Sequence, residues 1–382
     1  AGCVSPRPSG SVGPGRARLL ERADGSRQSE VSGGIQAPFT LDSPFRVASV
    51  SKILVAELAR RLHAAGRLDM DSDAAVPMDF PLRHPEFPQD VITLRQLVGH
   101  RSGIIDPPVY WMALGGDIRD LLGAEIWEAG ARPGEAFRYS NLNYGLAASV
   151  MEAATGERFD RLFTAHIARP LGLDIGYNWS GVSPAKRARA LPARRWIDGA
   201  WQVQIDGPGT AASSEPAILL ADEPIEALGA YVPGTNGTLF SPQGGLRASC
   251  NDLAVIGREV ILAQPELWVP EWRASDTDGR GSGSEAIEGR GSEAGHFLAF
   301  GEGVYLYPDG PLPGSVDALW VGHHGEAYGV YCGLWVVPDR GDVFVHADLG
   351  SPADGSPLLG GTPNQTRLAT DAMRWAAARM EG

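Results

Sequence analysis

The sequence predicts an α+β fold, an α/β sandwich in which an antiparallel sheet is flanked by helices and adjoined by a mainly helical lobe. Three observations carry this. Apolar residues at Val50, Ile53, Leu54, Leu58 and Leu62 recur at the spacing of a helix with one buried stripe over residues 50–65. Late in the chain, "FGEGVYLYP", "ALWVGHHG", "YGVYCGLWVVP" and "DVFVHADLG" are β-rich runs separated by turn residues, and successive strands joined by short turns pair antiparallel. Between them, from about 67 to 235, segments such as "TLRQLVGH", "NYGLAASVMEAATG" and "RFDRLFTAHI" are short helical patterns joined by loops containing Pro and Gly.

In chain order, residues 1–15 are rich in Gly, Pro and Ser without periodicity and predict a loose leader. Residues 16–382 then form one domain. Its sheet and helix region takes residues 16–66 and about 236–382, and the helical lobe takes about 67–235. The turn "ADGS" between two short runs predicts a hairpin. "DMDSDAA" at 69–75 starts like a calcium loop, but Ala74 stands where glycine is required and Phe80 where the bidentate glutamate belongs. It predicts a polar loop after the first helix. Residues 274–297 are long, polar and Gly-rich and predict a surface loop. "TPNQTRLATDAMRWAAARM" closes the chain as a helix, and no repeat interrupts this order.

The chain has 382 residues, 43% of them hydrophobic, enough for a substantial core. Its net charge of -13 opposes binding to nucleic acid and to anionic membranes, which leaves a small-molecule or peptide substrate as the expected partner. No run approaches the ~20 apolar residues of a membrane span, and no signal peptide is expected. The opening "AGC" resembles the end of a bacterial lipoprotein processing site, which would make Cys3 a lipid attachment point and the protein periplasmic or secreted. Cys250 and Cys332 are expected as buried free thiols, with a bridge between them as the alternative. Neither a cofactor nor a metal is predicted, because H-E-x-x-H is absent.

Serine chemistry needs a nucleophile, a proton acceptor within hydrogen-bond reach and donors aimed at the developing oxyanion. The chain lacks a G-x-S-x-G elbow. It does carry Ser49 and Lys52, three residues apart on one helical face with Cβ atoms roughly 5–6 Å from each other. Alone, S-x-x-K is also the pattern of a capping serine and a solvated lysine. Two further motifs follow: "FRYSNLNYG", with Tyr139, Ser140 and Asn141 at a helix start, and "VGHHGEAYG", with His323, His324 and Gly325 on a strand.

In this order and at these separations, S-x-x-K, Y-x-N and [K/H]-x-G resemble the serine β-lactamase and penicillin-binding DD-peptidase superfamily, in the class C β-lactamase-like branch that also holds D-aminopeptidases and related esterases. "AAGRLDMDSDAAVP", "LRQLVGHRSGI", "IARPLGL" and "GGLRASCNDLAVIGRE" extend the likeness over about residues 40–380. The resemblance implies the β-lactamase/transpeptidase-like fold and a serine hydrolase working through an acyl-enzyme. Ser49 would be the nucleophile, Lys52 its proton-handling neighbour and Tyr139 a second proton shuttle. Lysine and tyrosine have ordinary pKa values near 10.4 and 10, so the site must change them, and which of the two is the base stays open. Asn141 would donate to the substrate's acyl-side carbonyl and touch Lys52, and the backbone N–H groups of Ser49 and Glu326 would form the oxyanion hole.

His323 would replace the cation that holds a substrate carboxylate, and His324, in place of the usual threonine, would line the cleft. A histidine there is only partly cationic at pH 7. The expected substrates are D-residue peptides or β-lactams, with a carboxylesterase or a catalytically weak penicillin-binding protein as alternatives. Only 48 residues precede Ser49, so an N-terminal helix packed on the closing helix is not expected. His100 is expected as a structural hydrogen-bonder behind the site. Trp111, Trp320 and Tyr328 are groove or core aromatics.

Overall fold

A computed structural model describes residues 13–35, 37–135, 137–177, 179–204, 225–270, 272–273, 292–293, 296–297, 299–308, 310, 316–352 and 367–381. Residues 1–12 of the leader, Cys3 included, and most of the polar stretch 274–297 lie outside the described residues. The end of that stretch departs from the expected loop: Ser292–Glu293 pairs antiparallel with His296–Phe297.

Eight strands make the main sheet. They are β1 (Arg16–Glu21), β2 (Arg27–Ser32), β3 (Trp272–Arg273), β4 (Ala299–Phe300), β5 (Tyr305–Tyr307), β6 (Trp320–Ala327), β7 (Val330–Val337) and β8 (Asp342–Asp348). Their order across the sheet is β2-β1-β8-β7-β6-β5-β4-β3, antiparallel throughout. The predicted hairpin around "ADGS" is β1–β2, with Gly25 at φ 82° in its turn. Because β1 pairs with β8 along its whole length, the first and last strands close the sheet across the chain.

Each face of the sheet carries its own core. On one face Leu20, Trp320, Trp335 and Phe344 pack with Ala372, Met373, Ala376 and Met380 of the closing helix α3 (Arg367–Met380). On the other face Leu334, Val336, Val343 and Val345 pack with the helix Cys250–Ile256 and with α1 (Ser51–Ala64). This is the layered arrangement that lets a sheet bury both surfaces.

Helix α1 departs from the single buried stripe. Every residue from Ser51 to Ala59 is buried, as is Leu62. The cause is its position: it packs against α2 (Leu142–Thr155), the short helix Leu94–Val98 and the π-helical turn Thr164–Ala168, inside the larger core cluster. Residues 67–235 are less helical than expected. Among the described residues their longest helix is α2, long loops separate the rest, and the hairpin Arg194–Ile197 with Ala200–Val203 joins Gly350–Pro352 in a separate three-stranded sheet. Trp196 and Trp201 pair across that hairpin at 5.1 Å, the kind of cross-strand contact that stabilises a two-stranded ribbon.

Leu58 is fully buried in the middle of α1. Leu58→Ala is expected to lower unfolding stability by about 2–5 kcal/mol, whereas Val76→Ala, at a position 76% exposed, changes it by less than about 0.5 kcal/mol. Urea denaturation of the two variants checks both.

Candidate active site

Ser49 sits in a 3₁₀ turn, Ala48–Val50, immediately before α1. Ala48 is held at φ 46°, a left-handed conformation that costs a non-glycine residue energy and persists only where neighbours enforce it. The enforcing bonds are on both flanks. Val47 N–H donates to Leu246 O at 3.0 Å, and Cys332 Sγ donates to Val47 O at 3.2 Å. Ser51 Oγ donates back to Ala48 O at 2.5 Å while accepting from Leu246 N–H at 3.0 Å. The turn is nailed to its surroundings and presents Ser49, half-buried, at the head of the helix.

One turn on, the Lys52 side chain is completely buried. Its Nζ donates to Ser49 Oγ at 3.0 Å, Asn141 Oδ1 at 2.9 Å and the Gln243 carbonyl at 2.8 Å. All three partners are neutral. Loss of hydration therefore dominates over the opposing field of Asp106, and the amine is pulled from the ordinary lysine value down to about 7. Nζ also stands 4.8 Å over the ring of Tyr139 and 5.3 Å over that of Tyr144. The Tyr139 hydroxyl is hydrogen-bonded to Ser49, yet burial pushes its pKa well above the usual tyrosine value, with Asp106 pushing the same way. Tyr139 is a protonated phenol at neutral pH, and Lys52 is the group that titrates there.

Three further residues support the site, and two of them, Asp106 and Gln243, carry no sequence signal of their own. Asp106 accepts from Ser140 Oγ at 2.8 Å, Asn141 Nδ2 at 2.8 Å and Leu142 N–H at 2.9 Å. Gln243 contributes only its carbonyl, which any residue could supply. Ser102 Oγ donates to Asn143 Oδ1 at 2.7 Å and ties the loop before Asp106 to α2. A lone aspartate in a loop and a backbone carbonyl give a single sequence nothing to find. His100 lies behind the site, as expected: its Nδ1 accepts from Ser140 N–H at 3.1 Å and its ring lies tilted 4.3 Å from that of Tyr139. Burial first and Lys52 second hold it neutral.

The third motif runs along β6. β5 pairs with β6 only at residues 320–322, and beyond that point the Ser49 turn, in place of a described strand, lies against the strand. Gly325 explains how close they come. A Cβ at this position would fall 2.4 Å from Val47 O and 3.1 Å from Ala48 Cβ, so only glycine lets the strand touch the turn.

His323 shares that face, and its surroundings disfavour the carboxylate-holding cation expected there. The ring is completely buried among Tyr305 at 4.6 Å, Tyr139 at 6.1 Å and Phe300 at 6.2 Å. Burial, His324 and Lys52 drive its pKa well below the ordinary value, leaving a neutral imidazole. Nδ1 lies 2.5 Å from the His324 carbonyl. A carbonyl only accepts, so Nδ1 carries the proton and Nε2 a bare lone pair. His324 and Glu326 alternate to the opposite face. His324 is half-buried and stacks on Tyr305 at 4.9 Å, with burial lowering its pKa to about 4. The Glu326 side chain accepts from Tyr331 Oη at 3.0 Å.

The remaining candidates are structural. In "DMDSDAA", Asp71 is engaged by Arg95 and Asp73 by Arg83. His63, Asp69 and Asp71 cluster on the surface, as exposed acidic groups commonly do. Cys250 and Cys332 are free, buried thiols. Trp320 is core, Arg46 stacks over Tyr328 at the β6–β7 turn, and Trp111 is half-buried in the loop after Asp106. No described helix is long and apolar enough to cross a membrane.

Against known proteins, the sequence matches the Beta-lactamase family over residues 21–347. The chain belongs to this family. Within the family, it is 30% identical over 259 residues to Esterase EstB of Burkholderia gladioli, spanning 60% of this chain and 61% of that protein. It is also 30% identical over 165 residues to the D-alanyl-D-alanine-carboxypeptidase/endopeptidase AmpH of Escherichia coli strain K12, 41% of each. The chain thus spans about three-fifths and two-fifths of these relatives' lengths. Among solved structures, a class C beta lactamase from Rhodobacter sphaeroides superposes with a TM-score of 0.64 at 15% identity, covering 96% of this chain and 95% of the other. The D-amino acid amidase of Ochrobactrum anthropi SV3 gives 0.63 at 17%, covering 98% and 95%. These likenesses establish the fold predicted above.

Gly325→Val is expected to drive β6 off the Ser49 turn and to slow labelling of Ser49 by a fluorophosphonate on the order of 100-fold. Labelling at the original rate, measured by intact-mass spectrometry, would show that the close approach is dispensable.

Proposed function

We propose that the protein is a serine hydrolase that acylates Ser49 and cleaves esters and uncharged amides. The observation that carries this is the Lys52 amine, dry, bonded to Ser49 Oγ at 3.0 Å and titrating at about 7. A general base works best with a pKa near the working pH. Neutral Lys52 takes the Ser49 hydroxyl proton as Oγ bonds to the substrate carbonyl carbon. The carbonyl oxygen becomes an oxyanion, held by the backbone N–H groups of Ser49 and Glu326. The bond to the leaving group breaks, and the leaving alkoxide or amine takes a proton from the Lys52–Tyr139 pair. Water then repeats the sequence on the acyl-enzyme. Asn141 steadies the acyl side of the substrate through its amide N–H.

The substrate class follows from β6. DD-peptides and β-lactams present a carboxylate beside the scissile bond, and a neutral, buried imidazole with a bare lone pair does not bind it. D-amino-acid amides and short-chain esters make no such demand, and Esterase EstB and the D-amino acid amidase are among the similar proteins.

Ser49→Ala should abolish turnover and covalent labelling together, and retained turnover would sink the assignment. Short p-nitrophenyl esters and a D-amino-acid amide should be hydrolysed with kcat/KM at least about tenfold above nitrocefin and a D-Ala-D-Ala peptide; the reverse order would overturn the substrate class. Because the amine must be neutral to act, kcat/KM should rise with pH through about 7 and level off above it. A flat profile from pH 5.5 to 8.5 would remove Lys52 as the base.

A further inference from the structure

We propose that Asp106 is a positioning residue of this site: its carboxylate fixes which way the Asn141 amide points and supplies the counter-charge that the Lys52 ammonium meets across that amide. The proposal rests on Lys52 being the base, as argued above.

The amide orientation follows from donor and acceptor chemistry. A carboxylate only accepts and an ammonium only donates, so an amide between them has a single satisfied arrangement, N toward the acid and O toward the base. That is the arrangement found, with Nδ2 to Asp106 at 2.8 Å and Oδ1 to Lys52 Nζ at 2.9 Å. One amide hydrogen is thereby committed to Asp106, and the other remains for substrate. Reversing the amide would set Nδ2 against the ammonium and leave the substrate facing an oxygen.

The same carboxylate grips the residues on either side of the amide. It accepts from Ser140 Oγ and from Leu142 N–H at the start of α2, where Asn141 itself provides no side-chain cap. Asp106 is therefore a cap supplied from a distant loop. The loop is fixed in turn: Ile105 N–H donates to Ile126 O at 2.8 Å, Ile104 N–H to Ser102 Oγ at 3.2 Å, and buried Pro107 follows. A carboxylate on so rigid a support sets the geometry of Tyr139-Ser140-Asn141.

The charges facing Lys52 come from several elements. From α2 and the segment before it come the neutral rings of Tyr139 and Tyr144. His100 comes from the loop after the helix Leu94–Val98, and His323 and His324 come from β6; burial holds all three imidazoles below their ordinary pKa. The opposing negative charge is Asp106, whose field favours the protonated amine.

Asp106→Asn removes the charge at constant shape and places an amide N–H against that of Asn141. We expect kcat for a p-nitrophenyl ester to fall about ten- to a hundredfold with a smaller change in KM, and the acid limb of kcat/KM to move down by on the order of one pH unit. The exchanged pair Asp106→Asn with Asn141→Asp restores a donor facing an acceptor but puts the carboxylate directly on Lys52. Its limb should move above that of the wild type, and it serves as the test should Asp106→Asn alone fail to fold. Ser140→Ala removes one of the three bonds and keeps the charge, so its limb should stay where it is. An Asp106→Asn enzyme that loses thermal stability while keeping kcat and its limb would reduce Asp106 to a structural cap and overturn the proposal, as would an upward shift. A wild type with no limb near pH 7 would instead remove Lys52 as the base, a separate failure.

Discussion

The site depends on one constraint: a lysine amine is kept out of water with three hydrogen-bond acceptors and no carboxylate in contact. Desolvation of an unpaired ammonium is expensive, and a protein avoids it by letting the group lose its proton. Here the Lys52 amine titrates at about 7 against an ordinary value of 10.5. Between these two values the unfolded chain holds a proton that the folded chain has released. From this group alone, folding stability is therefore lowest below pH 7 and rises with pH across that window. The fold accepts that loss, and the proposed base is thereby matched to neutral solution.

Much of the surrounding structure keeps that amine dry and aimed. Tyr139 and Tyr144 place ring faces against it, the 243–246 segment supplies a carbonyl to it and pins the Ser49 turn, and α1 is buried on all sides of its first turns. The glycine of the third motif belongs to the same arrangement. Gly325 lets β6 come within backbone distance of the Ser49 turn, which brings two backbone segments together where an oxyanion would form. A side chain at this position would cost geometry before it cost any specific contact.

What the sequence made legible is what few residues can substitute. The hairpin around Gly25, the helix after Ser49, the late strands and the three short motifs follow from periodicity, turn chemistry and residue type. The chemistry around them does not. Asp106 is one aspartate in a loop between Ile105 and Pro107, and only the fold brings it 36 positions along the chain to Leu142. Gln243 acts through its carbonyl, which no residue type encodes. The helical expectation for 67–235 failed at Arg194–Val203 because a four-residue strand gains its stability from its partners, here Trp196 against Trp201 and the pairing with Gly350–Pro352.

His323 shows how burial bears on the meaning of a motif residue. At the surface of a cleft an imidazole is partly cationic near pH 7 and attracts a carboxylate. On β6 it has Tyr305 on one side and Phe300 and Tyr139 beyond, and Lys52 lies close enough that a second positive charge would be repelled. Protonating it would put two cations into one desolvated space, so the two groups compete for a proton and the lysine, with Asp106 across the amide, takes it. A site that has given its single buried positive charge to the nucleophile's base has none left for a substrate carboxylate. In the proposed reading, selectivity for uncharged esters and amides and activation of Ser49 are two consequences of the same electrostatic allocation.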